Sequence, residues 1–171
     1  MPEYNMPFRA VVFDLDGTLA DSLEGIASAM NTVLSEHGLP HHPTESYRLM
    51  VGEGVETLIQ KAIPPSAKDK THVILNEYRG VYARKMQETQ AFAGIEDMLS
   101  TLTALQIHMS VLSNKRDDFT VAMVNALFRR WHFVGIRGER VGVPRKPHPG
   151  AALELAAQMG VLPSQCAFVG D

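Results

Sequence analysis

Cysteine occurs once in 171 residues, as Cys166, so no internal disulfide can form. Its place in the apolar run Cys166-Ala167-Phe168-Val169 marks it as a small core residue rather than a nucleophile. A surplus of either charge is also lacking. Sixteen Lys and Arg stand against 19 Asp and Glu, for a formal charge of −3. The densest basic stretches are the pairs Arg84-Lys85 and Arg129-Arg130, which read as solvated helix faces, so nothing provides an electrostatic footprint for nucleic acid. No apolar run approaches the ~18 residues that cross a bilayer, and no basic segment followed by an apolar core opens the sequence. The expectation is a soluble, unexported protein of a reducing cytoplasm, with no membrane or nucleic-acid partner. A phosphate-cradling P-loop pattern is missing, which argues against a nucleotide-dependent kinase or ATPase. Gly52-Glu53-Gly54 follows no predicted strand and lacks a third glycine, so it is not a dinucleotide fingerprint. The seven histidines are scattered, and His41-His42 have no partners at metal-ligand spacing and read as solvated loop residues. Internal repeats and low-complexity segments are absent.

What is present is an ordinary globular composition, 45% hydrophobic and 20% charged, enough to bury one core domain with an insertion. Ala10-Val11-Val12-Phe13 is apolar without alternation, as suits a strand buried on both faces of a parallel sheet. Leu23, Ile26, Ala27, Met30, Val33 and Leu34 repeat at helical spacing, with Asp21 and Glu24 at capping-box separation and Gly38 as terminator. Helical text continues to about Gln87, broken at Gly52-Glu53-Gly54 and at Pro64-Pro65-Ser66. Beyond Gly94 the pattern alternates: helix 95–105, strand 107–112, helix 118–128, a short strand near 133–136, helix 149–159, strand 166–169. The expected fold is α/β, a Rossmann-like parallel sheet core with an inserted α-helical cap. The expected organisation is core over 1–20, cap over 21–87, and core again over 88–171.

Three predicted strands run into polar residues: Phe13 into Asp14, Leu112 into Ser113-Asn114-Lys115, and Val169 into Gly170-Asp171. Ligands of open α/β sheets bind outside the carboxyl ends of the strands, so these groups are expected at one edge. Lys146, preceding the last helix, joins them. Carboxylates alone repel a phosphate. The inventory suits phosphoryl chemistry if Asp14 and Asp171 hold a divalent cation that bridges to it.

Asp14-Leu15-Asp16-Gly17-Thr18 resembles the first signature of the haloacid dehalogenase-like superfamily in its phosphatase form. Ser113-Asn114 resembles the second signature, Lys146-Pro147 with Pro149 the third, and Gly170-Asp171 the start of the fourth. The helical insertion, with Gly52-Glu53-Gly54 and Leu58, is similar to the cap of the phosphoglycolate phosphatase-like branch. The resemblance implies a Mg²⁺-dependent phosphatase of a small phosphorylated metabolite. In it Asp14 is the nucleophile that forms an aspartyl phosphate, and Asp16 is the acid and base that protonates the leaving group and activates water. Gly17, Thr18, Ser113, Asn114 and Lys146 bind the phosphoryl group, and Asp14, the Asp16 carbonyl and Asp171 hold the metal. Gly52, Glu53 and Gly54 are candidates for substrate selection.

The fourth signature of the family continues past the point where the sequence stops at Asp171. The expectation is therefore that the C-terminal part of the core is missing and that a chain ending there is poorly soluble and nearly inactive. Other readings stay open. A phosphosugar mutase of the same superfamily keeps both aspartates. A phospho-accepting receiver unites similar groups but lacks an insertion after its first strand. A non-catalytic binding protein would draw support only from the missing C-terminus. A dehalogenase has no use for an acid at position 16.

Overall fold

The computed structural model describes residues 8–170. Its centre is β1 (Ala10–Phe13), flanked in a four-stranded, all-parallel sheet by β4 (His108–Arg116) and β6 (Cys166–Val169), with β5 (Gly135–Glu139) outside β4. The four residues of β1 are all buried. Val11 and Phe13 belong to one hydrophobic cluster, Ala10 and Val12 to a second on the other side. Successive side chains of a strand point to opposite faces, so an unbroken apolar run is what a strand covered on both sides requires.

Helices cover both faces. α4 (Ile95–Ala104) and α5 (Asp117–Phe128) contribute Leu99, Met123, Val124 and Phe128 to the larger cluster. α6 (Gly150–Gln158) contributes Ala151, Leu155 and Ala156 to the smaller one. Between β2 (Ala20–Asp21) and β3 (Gln90–Ala91), which pair antiparallel, the chain is helical and irregular only. α1 (Leu23–Glu36) packs along α3 (Thr71–Lys85), with α2 (Val55–Ala62) beside α3. Gly38, at φ +65°, closes α1, and the Leu39 N–H returns to Leu34 O at 2.8 Å, as an αL terminator does. None of the described helices is long and apolar enough to cross a membrane.

Several local expectations give way to packing. The capping box over Asp21 and Glu24 does not form. Ser22 is the N-cap of α1 and makes no cap hydrogen bond, because its hydroxyl is spent on Asp16. β4 runs on past Leu112 through Ser113 and Asn114, with a register irregularity between Leu112 and Arg116. β5 starts two residues later than the predicted 133–136 and includes Gly135 and Gly138. A Cβ at Gly138 would lie 2.5 Å from Asp117 Cα and Lys115 O, so this glycine marks close backbone approach rather than a turn. His42 is no solvated loop residue. Its Nε2 lies 2.7 Å from Ala62 O, its N–H donates to Asn31 Oδ1, and its ring meets Tyr47 edge-on.

Candidate active site

β1 delivers Asp14 to the sheet edge, where its N–H still pairs with Val169 O of β6 at 2.8 Å. Asp14 Oδ1 accepts the Leu15 N–H at 2.6 Å, and Oδ2 lies 2.6 Å from Lys146 Nζ. Burial pushes the Asp14 carboxyl above its ordinary range, against the opposing pull of the Lys146 ammonium. The turn that follows is tight. Leu15 O accepts the N–H groups of Leu19 and Ala20, the Gly17 N–H reaches Ala20 O, and Gly17 sits at φ +79°, a conformation that favours glycine.

This turn brings Asp16 back to the same side as Asp14. Asp16 Oδ1 accepts hydrogen bonds from Ser22 Oγ at 2.5 Å and Lys115 Nζ at 2.7 Å, both largely shielded from water. Lys115 in turn donates to the Tyr82 hydroxyl and lies 4.6 Å from the centroid of the same ring. Tyr82 belongs to α3 and stacks on Tyr78 at 5.5 Å with an interplanar angle of 10°. Burial, aided at Tyr82 by the Asp16 carboxylate, holds both phenols well above their ordinary range. They stay neutral at physiological pH.

Asn114 lines the cavity with its side-chain amide already held by protein partners. Its Nδ2 donates to Gly52 O at 2.9 Å and Lys146 O at 3.1 Å, and its Oδ1 accepts the Lys146 N–H at 2.9 Å. With both amide hydrogens committed, Asn114 braces the Lys146 backbone and ties the Gly52 loop to the sheet. Arg145 is a second tie: it donates to Glu53 O at 2.8 Å while its Nε lies 2.6 Å from Glu139 Oε1. The Glu53 carboxylate turns away to Lys61 Nζ at 3.1 Å, so of the Gly52-Glu53-Gly54 trio only the two glycines line the cavity.

That cavity, about 320 Å³, is bounded on the sheet side by Asp14, Asp16, Gly17, Ser113 and Lys115, and on the helical side by Leu58, Tyr78, Arg79 and Tyr82. The Ser113 hydroxyl accepts the Lys115 N–H at 3.1 Å. The Thr18 hydroxyl is buried without a partner and is not among the lining groups. Asp171 lies outside the described residues. Lys115, Tyr82, Ser22 and Arg145 go unassigned by sequence reasoning. Lys115 and Arg145 adjoin recognised residues, which is a signal, whereas Tyr82 and Ser22 carry none.

Among the described residues no group of three His, Cys, Asp or Glu side chains gathers at metal-holding separation. The donors present are hard oxygens, the Asp14 carboxylate and the Asp16 carbonyl. Such a set fits a small divalent cation that keeps several waters, and positive charge beside Asp14 offsets the cost of its burial. A Cβ at Gly170 would come within 3.2 Å of Asp14 Cβ, so β6 ends against the same carboxylate.

The sequence model of the family described as haloacid dehalogenase-like hydrolase matches residues 11–171. A phosphoglycolate phosphatase of Pseudomonas syringae pv. tomato is 31% identical over 172 residues, covering 95% of this chain and 62% of that protein. One from Chromobacterium violaceum is 32% identical over 169 residues, covering 95% and 76%. The chain thus spans about 62% of the length of the Pseudomonas relative. Among solved structures, a predicted phosphoglycolate phosphatase from Haemophilus somnus 129PT superposes with a TM-score of 0.88 at 25% identity, covering 96% of this chain and 77% of that one. A haloacid dehalogenase-like hydrolase from Streptococcus pneumoniae gives 0.85 at 27% identity, covering 96% and 76%.

Proposed function

This chain belongs to the haloacid dehalogenase-like hydrolase family, and on that premise we propose that it hydrolyses a small phosphate monoester of the phosphoglycolate class through an aspartyl phosphate on Asp14. The observation that carries this reading is that each of the carboxylates Asp14 and Asp16, which line the cavity, is paired with an ammonium group. Lys146 lies on Asp14 and Lys115 on Asp16, where the turn after β1 meets β4 and the segment before α6. The helices of residues 21–87 act as a cap over a core made of 1–20 and 88–171.

Asp14 attacks phosphorus, the ester oxygen leaves, and Asp16 supplies its proton. Asp16 then takes a proton from the water that cleaves the acyl phosphate, returning Asp14 as a carboxylate and releasing inorganic phosphate. Lys146 and the Ser113 hydroxyl receive negative charge on the phosphoryl oxygens, and the Gly17 backbone lets that group approach closely. Asp14, the Asp16 carbonyl and Asp171 would hold a magnesium ion, whose charge would neutralise the phosphate and help align the attack. Ser22 and Lys115 fix the Asp16 carboxylate, and the stacked tyrosines exclude water from the helical side. The relatives described as phosphoglycolate phosphatases support the substrate class.

The test is phosphate release from a panel of phosphorylated metabolites with Mg²⁺, with and without excess chelator. Hydrolysis of a small acidic monoester that chelation abolishes is the expected result. Undiminished turnover in chelator, or no release from any ester, rejects the reading.

A further inference from the structure

Charge pairing around the cavity leaves one group over. Four cationic side chains line it: Arg48, Arg79, Lys115 and Arg116. Arg48 pairs with Glu45 at 2.6 Å, Lys115 with Asp16 at 2.7 Å, and Arg116 grips Asp118 with two nitrogens. Arg79, among the described residues, has no carboxylate within ion-pair distance. Its one side-chain hydrogen bond is a long 3.5 Å contact from Nη1 to Asn76 Oδ1, and its Nε is buried with no partner at all. Arg140 also has an unpartnered buried Nε, but its guanidinium lies 3.9 Å from Glu154.

A desolvated guanidinium N–H without an acceptor is costly, and native structures rarely keep such a group without a use for it. The position supplies the use. Arg79 follows Tyr78 on α3 and lines the cavity from the helical side, whereas Asp14 lies at the end of β1 on the sheet side. A phosphoryl group seated on Asp14 would leave the rest of a small ester pointing toward α3. Leu23, Ile26 and Leu58 on the same side are uncharged, and the other charged lining groups of the helical segment are Asp21 and the Glu45-paired Arg48.

Resting on the phosphatase reading for which end of the substrate faces Asp14, we propose that Arg79 is the specificity-determining residue of the cavity. It binds a second anionic group, a carboxylate or a second phosphate, on the same substrate molecule. An ester with a neutral tail leaves the Arg79 Nε–H unpaired, and one with a cationic tail is repelled. Selection then operates on the charge of the leaving half rather than on its shape.

Binding separates this assignment from catalysis. 3-Phosphonopropionate carries a carboxylate and resists hydrolysis, while n-propylphosphonate has the same chain without the charge. Calorimetric titration of each into the wild-type chain and into Arg79→Gln, with Mg²⁺ present, should show 3-phosphonopropionate weakened about ten- to a hundredfold, as loss of a charge-assisted hydrogen bond implies. n-Propylphosphonate should be unchanged. Arg79→Lys should recover part of the difference, and equal melting temperatures would exclude a folding defect. A bisphosphate of a three-carbon diol, titrated alongside, tells a phosphate-selective site from a carboxylate-selective one, and either preference upholds the assignment. Equal weakening of both phosphonates by Arg79→Gln, or of neither, would overturn it, as would failure of 3-phosphonopropionate to bind the wild-type chain. Selective binding without turnover of any ester would instead reject the phosphatase reading and uphold the role of Arg79.

Discussion

Asp14 and Lys115 show how single residues here carry opposite electrostatic burdens. Burial raises the Asp14 carboxyl above its ordinary range, so between the ordinary value and the raised one the folded chain holds a proton that the unfolded chain has released. Stability therefore falls as pH rises through this window and stays at the lower level above it. With divalent cations chelated, the melting temperature should decline over this interval, and Asp14→Asn should flatten the decline while removing turnover by a thousandfold or more, on the order seen when a nucleophile is deleted. Melting curves recorded from about pH 4 to 7 check the first part. A decline of unchanged slope in Asp14→Asn would place the titration elsewhere. Lys115 acts through another group. It holds Asp16 from one side while Ser22 holds it from the other, so Lys115→Met should leave Asp16 half-anchored. A displacement on the order of 1 Å costs about a hundredfold in rate, and kcat should fall ten- to a hundredfold with KM changed less. Steady-state kinetics on wild type and variant decide it, and an unaltered kcat would reduce Lys115 to a structural ion pair.

At the scale of elements, the sheet is readable from its central strand, which is buried on both faces, and from helices that repeat at 3.6 residues. Ala10–Phe13 is an unbroken apolar run and Leu23–Glu36 carries one helical repeat. β2 and β3, two residues apiece, are below the length at which any pattern exists, and they form only because the two ends of the helical excursion meet. The same logic explains which side-chain directions in the site a sequence leaves open. Asn114 and Glu53 look like ligand-binding residues in sequence, but which way a side chain turns depends on partners remote in the chain: Gly52 and Lys146 for the first, Lys61 for the second. The Gly52–Gly54 loop is where this dependence can be measured. Gly54 sits at φ +90°, and a Cβ there would lie 2.5 Å from Arg145 Nη1. Gly54→Ala must therefore strain the backbone, by about 1–2 kcal/mol, and displace the guanidinium that holds Glu53 O. The denaturation midpoint should fall accordingly and KM should rise, since the loop forms part of the cavity wall. Wild-type stability in Gly54→Ala would mean that the loop relaxes without loss and that Arg145 is not a tie.

For the whole molecule, the cavity is a seam. One wall is the carboxyl edge of the sheet and the other is the helical layer, joined across it by Lys115 to Tyr82, Asn114 to Gly52, and Arg145 to Glu53. None of these three ties is visible in a linear sequence, because each spans tens of residues and joins groups whose local patterns are unrelated. Their arrangement has a thermodynamic consequence. A ligand that contacts both walls binds only the folded, closed arrangement, so it must stabilise the two layers together rather than one of them. At a free concentration of a hundred times its Kd, such a ligand adds about 2.7 kcal/mol, which for a chain of this size corresponds to a rise of about 5–11 °C in melting temperature. With Mg²⁺ and saturating 3-phosphonopropionate, the transition should move up by that amount and remain a single step. Amide exchange should slow in α3 and in β4 to the same extent. If the ligand protected β4 while α3 exchanged at its unliganded rate, the helical layer would not close on the bound molecule, and the role given to α3 in exclusion and selection would fail with it.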